Sequence, residues 1–235
     1  MKKFILILSL GFVAHMLSAQ EAGTFQIVLN QDNAFGFYPQ IIGSRPLSER
    51  FDLTAYGLFW TNPSFGSPTT GTNFWTETGI GISSTTLKDR LVLNPSIGFT
   101  HGNLLSGGEE GLLAEGIVPS LFLFYLDDRF ETEAFFAYYQ VLRRAGPINS
   151  SFALYWVYPG IYLHPAFSLG IHYESFRLTE TNAGETGPLY TWTGGYLKYT
   201  IKEKYALRFS AGINVAEDSP YANEYYKLNV VIPLE

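Results

Sequence analysis

The sequence contains no cysteine. This absence excludes a disulfide-stapled scaffold, a thiol nucleophile, a cysteine-based zinc site and the lipid-modified cysteine of a lipoprotein anchor. It is compatible with export into an oxidising compartment, where free thiols would mispair. Charged residues are also scarce, at 15% of the chain compared with roughly 25% in soluble domains. The 15 basic residues are outnumbered by 21 acidic ones, which argues against a nucleic-acid partner.

Long apolar runs are also lacking, and the longest one lies at the N-terminus. Residues 4–13 are almost entirely apolar, and they follow the positive pair Lys2 and Lys3. This stretch is too short for a membrane-spanning helix, which needs about 20 residues. Because the small residues Ser18 and Ala19 follow, the pattern predicts a secretory signal peptide over residues 1–19. The remainder, residues 20–235, is predicted to form a single domain.

A short charged motif recurs at intervals of roughly 40 residues, which indicates a repeated supersecondary unit. Its order is apolar, any residue, acidic, basic, apolar. Four copies occupy residues 47–51, 87–91, 126–130 and 201–205, and residues 163–167 stand in the place of another copy without the charges. Each copy is predicted to be a tight turn between two strands.

The segments between these turns alternate with the two-residue period of β-strands. Phe51 and Leu53 fall on one face of such a segment, and Asp52 and Thr54 fall on the other. Five turns join ten strands, and a further strand precedes the C-terminus. Residues 24–46 are long enough for two strands, of which one leads into the first turn and is already counted, and the other begins the barrel. The predicted total is twelve strands, or ten or eleven if residues 24–32 form a plug or a free arm. Longer polar loops are predicted at the opposite end, at residues 62–72, 102–114, 144–149, 180–188 and 218–223.

The predicted fold is a closed, antiparallel, up-and-down β-barrel, and its surroundings are either lipid or water. A soluble lipocalin-like carrier would direct its apolar face inward. Three features favour lipid: strands of the length needed to cross a bilayer, few charges within strands, and aromatic residues at strand ends. Two interfacial aromatic girdles are predicted from these end positions, comprising Phe51, Trp60, Trp75, Phe130, Phe167, Trp192 and Tyr205.

With its signal peptide, hairpin period and aromatic strand ends, the chain resembles small bacterial outer-membrane β-barrel proteins. The resemblance is architectural and covers the whole mature chain. It implies membrane lipid and the outer-membrane assembly machinery as partners. Such proteins often finish on an aromatic residue that the machinery reads, whereas this chain finishes Pro233-Leu234-Glu235.

The face opposite Phe51 gathers the charged residues of the predicted lumen. Lys198 and Arg208 lie symmetrically about Glu203, so they are predicted to be cross-strand neighbours. Two interpretations fit: an internal salt-bridge network that fills a closed barrel, or a charged constriction that selects solutes. A barrel of about eight strands is filled by side chains and one of 16 or more is open, so twelve strands allow both. The predicted lumen residues are Asp52, Glu77, Glu131, Glu133, His172, Glu174, Lys198, Arg208 and Lys227.

Catalytic and metal-binding patterns are weak. His101 resembles the histidine of outer-membrane phospholipase A and lipid A deacylase, which pair it with a serine two residues later, but Asn103 occupies that position. Ser106 falls out of phase with the histidine. His172 and Glu174 share a strand face, yet spacing supplies no third ligand. No enzymatic activity, cofactor or metal is expected.

The leading functional hypothesis is a narrow passive channel for small polar solutes. Three alternatives remain. One is a closed barrel whose external loops bind a surface molecule, with residues 102–114 and their Glu109-Glu110 pair as the candidate loop. Another is the soluble periplasmic carrier. The last is a lipid-modifying outer-membrane enzyme that uses His101.

Overall fold

The computed structural model describes residues 23–60, 75–107, 110–202 and 204–234. The predicted signal peptide and the predicted loop at 62–72 lie outside these ranges. All regular structure within them is β-strand. In chain order the strands are β1 (Thr24–Asp32), β2 (Gly36–Phe37), β3 (Gln40–Pro46), β4 (Phe51–Trp60), β5 (Trp75–Thr86), β6 (Leu91–Gly102), β7 (Leu112–Leu126), β8 (Phe130–Val141), β9 (Ser150–His164), β10 (Phe167–Thr181), β11 (Gly187–Ile201), β12 (Tyr205–Asn214) and β13 (Glu224–Leu234).

The sheet closes on itself. From β3 onward each strand pairs antiparallel with its successor, and β1 pairs with both β3 and β13. The two-residue strand β2 only extends the end of β1. Twelve strands therefore form the wall, which confirms the predicted closed barrel. Residues 24–32 are a wall strand, and neither a plug nor a free arm.

The two ends of the barrel differ in the length of their connections. The charged motifs form tight turns at one end, called here the turn end, and the longer loops lie at the other, called the loop end. Asp127 shows how one turn is held, because its Oδ1 accepts hydrogen bonds of 2.8 Å from the backbone N–H groups of Arg129 and Phe130. These bonds lower the pKa of Asp127 below its usual value. The predicted hairpin repeat is therefore confirmed for this turn.

The outer face of the barrel is a continuous apolar surface. Its residues alternate along each strand with inward-facing ones, as the pleat of a strand requires. This arrangement is the reverse of a lipocalin-like carrier, which directs its apolar face inward. At least two-fifths of the surface is exposed for each of Phe51, Ile80, Ile82, Ile97, Phe99, Leu121, Phe130, Phe136, Ile161, Ile171, Leu197, Leu207, Phe209 and Ile213.

Between residues 23 and 234, the part of the chain that the structure describes contains no helix long and apolar enough to cross a membrane.

Candidate functional site

Inside the barrel, the first group of charged residues is an ion-pair network near the turn end. Lys198 and Arg208 are direct cross-strand partners, as predicted. Each is paired with an acid, which offsets the repulsion between two adjacent cations. Lys198 forms an ion pair with Glu131, and Arg208 Nη1 lies 2.9 Å from Glu133 Oε2.

These ion pairs cross the lumen. Glu131 and Glu133 lie on β8, whereas Lys198 lies on β11 and Arg208 on β12. Since β9 and β10 separate the two groups in the wall, the side chains meet through the interior. The guanidinium group of Arg208 also stacks on Tyr158, 4.1 Å from the ring centroid. One side of the barrel is therefore filled by paired charges.

A second group of charged residues is centred on Glu174. Its Oε2 lies 2.6 Å from Lys227 Nζ and 3.2 Å from His172 Nε2. Its Oε1 accepts a 2.7 Å hydrogen bond from the hydroxyl group of Tyr190. The other ring nitrogen of His172 lies 2.8 Å from the Tyr225 hydroxyl group. This carboxylate is fully engaged, so the predicted pair of His172 and Glu174 is part of the lumen network.

Two further predicted lumen residues lie on the opposite wall. Ser83 donates a 3.3 Å hydrogen bond to Asp52, and Tyr56 donates a 2.6 Å hydrogen bond to Glu77. Within the described ranges, neither acid forms an ion pair. All nine predicted lumen residues therefore face the interior, but only seven of them join the two networks.

The prediction that Trp60, Trp75 and Trp192 belong to interfacial girdles is wrong. Their exposed fractions are 3%, 3% and 0%, and they point into the lumen. The physical reason is strand phase, because each lies an even number of residues from an inward-facing charge. Those charges are Asp52 on β4, Glu77 on β5 and Lys198 on β11. By contrast, Phe51, Phe130 and Tyr205 are 49%, 52% and 40% exposed, and Phe167 is half-buried.

The three tryptophans belong to a buried aromatic cluster that fills the loop end of the lumen. The ring of Trp60 stacks on Tyr38 at a centroid distance of 5.1 Å and meets the edge of Phe35 at 4.6 Å. Trp192 lies between Tyr190 and Tyr225, with centroid distances of 4.1 and 4.7 Å. Stacked and edge-to-face pairs of this kind add stability beyond the area that they bury. The loop end is therefore closed by packed rings.

Two glycines make room for this cluster. Gly194 and Gly212 face each other across β11 and β12. A Cβ atom at Gly194 would lie 2.7 Å from the Tyr225 hydroxyl oxygen, and one at Gly212 would lie 2.8 Å from the ring. The same Cβ atoms would lie even closer to backbone carbonyl oxygens of the paired strand, that of Ala211 for Gly194 and that of Thr193 for Gly212. Glycine is therefore needed both for the close approach of the strands and for the Tyr225 ring.

Sequence reasoning missed two buried carboxylates that fold loops at the loop end inward. Asp32 Oδ1 accepts hydrogen bonds from the N–H groups of Ala34 and Phe35, at 2.9 and 2.7 Å. Glu115 Oε1 accepts them from Leu105 and Ser106, at 2.7 and 2.6 Å. A carboxylate that accepts several backbone donors holds a loop strongly. The only sequence signal was their position, because Asp32 is the last residue of β1 and Glu115 lies near the start of β7.

A cavity of about 330 Å³ remains between the networks and the opposite wall. The aromatic cluster bounds it toward the loop end. Its lining combines apolar rings with amide, hydroxyl and charged groups. Its lining includes Tyr38, Tyr56, Trp60, Glu77, Tyr139 and Trp156.

The weak catalytic and metal patterns gain no support. His101 contacts Thr78 and the backbone of Ala114 on the outer side of the wall. Ser106 is fully buried and bonded to Glu115, so it is not the partner of His101. No group of three or more potential metal ligands is found among the described residues. The lumen is thus the only predicted site whose residues the described ranges bring together.

Comparison with known proteins agrees with this architecture. The model of a family of unknown function, DUF6733, matches residues 1–234. The chain belongs to this family. No curated protein matches it.

Solved structures resemble the chain in fold. One is the COG4313 outer membrane channel from Pseudomonas putida F1, with a TM-score of 0.65, 13% identity, and coverage of 92% of this chain and 97% of that one. Another is the KdgM porin, with a TM-score of 0.51, 9% identity, and coverage of 91% and 100%. At such identities the likeness establishes the fold alone. The DUF6733 chain has the fold of outer-membrane β-barrels, and its apolar outer face suits lipid.

Proposed function

We propose that this protein is a narrow, cation-preferring channel for small polar solutes in the outer membrane. The observation that carries the proposal is the 330 Å³ cavity beside the cross-lumen ion pairs in a closed twelve-strand barrel. Eight strands leave room only for side chains, and 16 leave an aqueous channel. Here the ion pairs occupy one side, so the proposed path is a narrow one along the wall formed by β3–β7.

The charge balance of the lumen gives the path its preference for cations. Lys198, Arg208 and Lys227 each have an acidic partner. Asp52 and Glu77 line the lumen without an ion pair within the described residues, and buried Glu115 is bonded to loop N–H groups instead. Among the described residues the lumen thus holds more acidic than basic side chains, and an excess of acids beside a narrow, low-dielectric path favours cations over anions.

The loop end closes the proposed path. Phe35 and Tyr38 pack against Trp60 across the opening, and residues 33–39 carry them there. Passage of a solute requires this segment to move outward, so the packed arrangement is the closed state of the channel. Loop rearrangement is a common way for proteins to gate access to an interior.

Export and assembly complete the proposal. Residues 1–19 act as the signal peptide, and the assembly machinery of the outer membrane inserts residues 20–235 with the turn end in the periplasm. The aromatic residues Phe51, Phe130, Phe167 and Tyr205 contact the lipid interface near the turn end. The protein acts without catalysing a reaction.

Planar-bilayer recording of refolded protein tests the channel. We expect small, discrete current steps in KCl. An absence of steps above the lipid baseline, with a folded barrel shown by heat-modifiable gel migration, would overturn the channel while leaving the fold intact.

A further inference from the structure

The charged side chains that border the cavity already have partners. The Glu77 carboxyl group accepts hydrogen bonds from both Tyr56 and Tyr139 and is only 2% exposed. Arg208 and Lys227 are each paired with an acid. A charged ligand would therefore enter the cavity without finding a free counter-charge, which is costly away from water.

Two neutral carboxamides of the lining, by contrast, have hydrogen-bonding capacity left. The side chains of Gln26 on β1 and Gln40 on β3 form no hydrogen bond within the described ranges, and both are half-buried. Neither is among the fully buried polar groups that lack a partner, so their amide atoms keep accessible surface. A carboxamide both donates and accepts hydrogen bonds, as a hydroxyl group does, so the free amides suit a hydroxylated ligand.

A third amide lies on β6, away from the two glutamines. Asn94 Oδ1 accepts a 3.0 Å hydrogen bond from Thr54, and its amide nitrogen has no partner in the described part of the chain. Ser96 and Ser120, whose hydroxyl oxygens lie 2.7 Å apart, extend the polar lining on this side. A ligand with one hydroxyl group could engage only one of these places, whereas a ligand with several could engage them together.

Across the lumen from the glutamines, the cavity is lined by aromatic rings. Trp156 on β9 packs against Phe135 on β8 and Phe122 on β7, with centroid distances of 5.6 and 6.1 Å. Around the closed wall of twelve strands, β9 lies opposite β3, and β8 lies opposite β1. All three rings are half-buried and belong to the lining, so they offer the cavity an apolar surface. Pockets of this kind combine apolar rings with a few polar groups that orient the ligand.

We propose that the cavity is a binding site for a neutral mono- or disaccharide. The C–H face of a sugar ring lies against Trp156, and the hydroxyl groups around its rim exchange hydrogen bonds with Gln26, Gln40 and Asn94. The volume of about 330 Å³ lies at the lower end of the range of ligand pockets, which is about 300–1,000 Å³. The site names the solute class of the proposed channel, and it rests on that function only for the route by which the sugar arrives.

Calorimetric titration of the refolded protein tests the site without any variant. The micelles are made of an amine-oxide detergent, because glycoside detergents carry sugar head groups that would compete. The probes are D-glucose, maltose, the anion D-glucuronate and the aromatic alcohol 2-phenylethanol. We expect saturable binding of glucose or maltose, and binding of glucuronate that is at least about tenfold weaker, because its carboxylate loses water without gaining a counter-charge.

Three results of this titration would overturn the site. The first is an absence of saturable binding for both neutral sugars. The second is binding of glucuronate as tight as that of glucose, which would mean that the cavity accepts a charge. The third is tighter binding of 2-phenylethanol than of either sugar, which would mean that the rings bind the ligand without the amides.

Matched glutamine variants locate the polar contacts. Gln26→Leu combined with Gln40→Leu keeps the approximate size of both side chains but removes their amides, so we expect sugar affinity to fall at least about fivefold. Gln31→Leu is the control, because Gln31 lies on β1 in the outward phase and its amide donates to the backbone of Asp32. Unchanged affinity in the double variant, or an equal loss in the control, contradicts the assignment.

A further variant tests the aromatic contact. Trp156→Leu keeps an apolar side chain but removes the flat ring, and we expect about fivefold weaker binding of the sugar. Sugar affinity equal to that of the wild type would contradict the placement of the ligand against Trp156.

Failure of the site and failure of the channel give different results. Bilayer current steps without saturable sugar binding would remove the site and keep the channel. Sugar binding that depends on Gln26 and Gln40, without current steps, would remove the channel and keep a binding barrel. Heat-modifiable gel migration of each variant confirms that a folded barrel is being compared.

Discussion

The hydroxyl group of Tyr38 donates a 2.6 Å hydrogen bond to Asp32 Oδ2, across the loop that joins the first two wall strands. Oδ1 of the same carboxylate accepts hydrogen bonds from the backbone N–H groups of Ala34 and Phe35. One buried acid thus holds the backbone of the loop and one of its rings at the same time. Because Phe35 and Tyr38 cover the loop end, Asp32 helps to keep the proposed path closed, together with the hydrogen bonds that Asn30 makes with the backbone of Tyr38.

Release of this loop can be followed by cysteine labelling, since the chain has no native cysteine to interfere. Ala34 is completely buried, so a thiol in Ala34→Cys should react slowly with a polar maleimide. Adding Asp32→Ala removes the acceptor of both loop N–H groups, and we expect labelling to become many-fold faster. The measurement is the rate of mass increase in refolded protein.

A control for this labelling is Phe37→Cys, because Phe37 is 43% exposed in the same loop. It should react quickly with or without Asp32→Ala. If Ala34→Cys is labelled at the same rate in both backgrounds, Asp32 does not hold the loop.

The ring of Phe35 is predicted both to obstruct the proposed path and to stabilise the folded barrel. Phe35→Ala removes a 5% exposed ring that contacts Trp60, Tyr38 and Phe176, and we expect about 3 kcal/mol lower free energy of unfolding. It should also increase the bilayer conductance. Phe37→Ala is the matched control and should change neither quantity by a comparable amount. An unaltered conductance for Phe35→Ala would show that this ring does not obstruct the path.

The cross-lumen ion pairs should matter more to stability than those at the surface. Glu133→Gln leaves the buried Arg208 without its ionic partner, and we expect a loss of about 3 kcal/mol in urea unfolding from lipid vesicles. Glu180→Gln breaks the exposed pair with Arg144 and should cost at most about 1 kcal/mol. Equal losses would mean that Glu133 and Arg208 are well solvated.

The Asp127 turn should give a defined dependence on pH. Its pKa is lower in the folded state, so the stabilisation is complete above the ordinary value of 3.8 and is lost as the pH falls through the folded-state value. We expect the wild type to be more stable than Asp127→Asn at neutral pH, and the difference in urea midpoint to shrink below pH 3.8. A difference that stays constant with pH would show that ionisation of Asp127 contributes nothing.

The sequence was sufficient for the wall of the barrel. Turn motifs at a regular spacing defined the hairpins, and strand alternation separated Phe51 from Asp52. The symmetry of Lys198 and Arg208 about one turn predicted their cross-strand contact, which depends only on local register. These features are periodic along the chain, so no knowledge of the closed barrel was needed to find them.

The interior was harder to predict because it depends on side chains that meet across the lumen. The partners of Lys198 lie on β8, three strands away in the wall, and no local pattern connects them. The inward folding of loops by Asp32 and Glu115 likewise depends on backbone N–H groups and not on residue type. The tryptophans were misassigned because their position at strand ends was weighed above their phase with Asp52, Glu77 and Lys198.

The reversal potential of refolded protein in a planar bilayer, recorded under a KCl gradient, tests the central claim most directly. The excess of acidic over basic side chains in the lumen predicts a reversal potential displaced toward the equilibrium potential of potassium. A potential displaced toward that of chloride, or no protein-dependent current from a heat-modifiable, folded barrel, would contradict a cation-preferring channel.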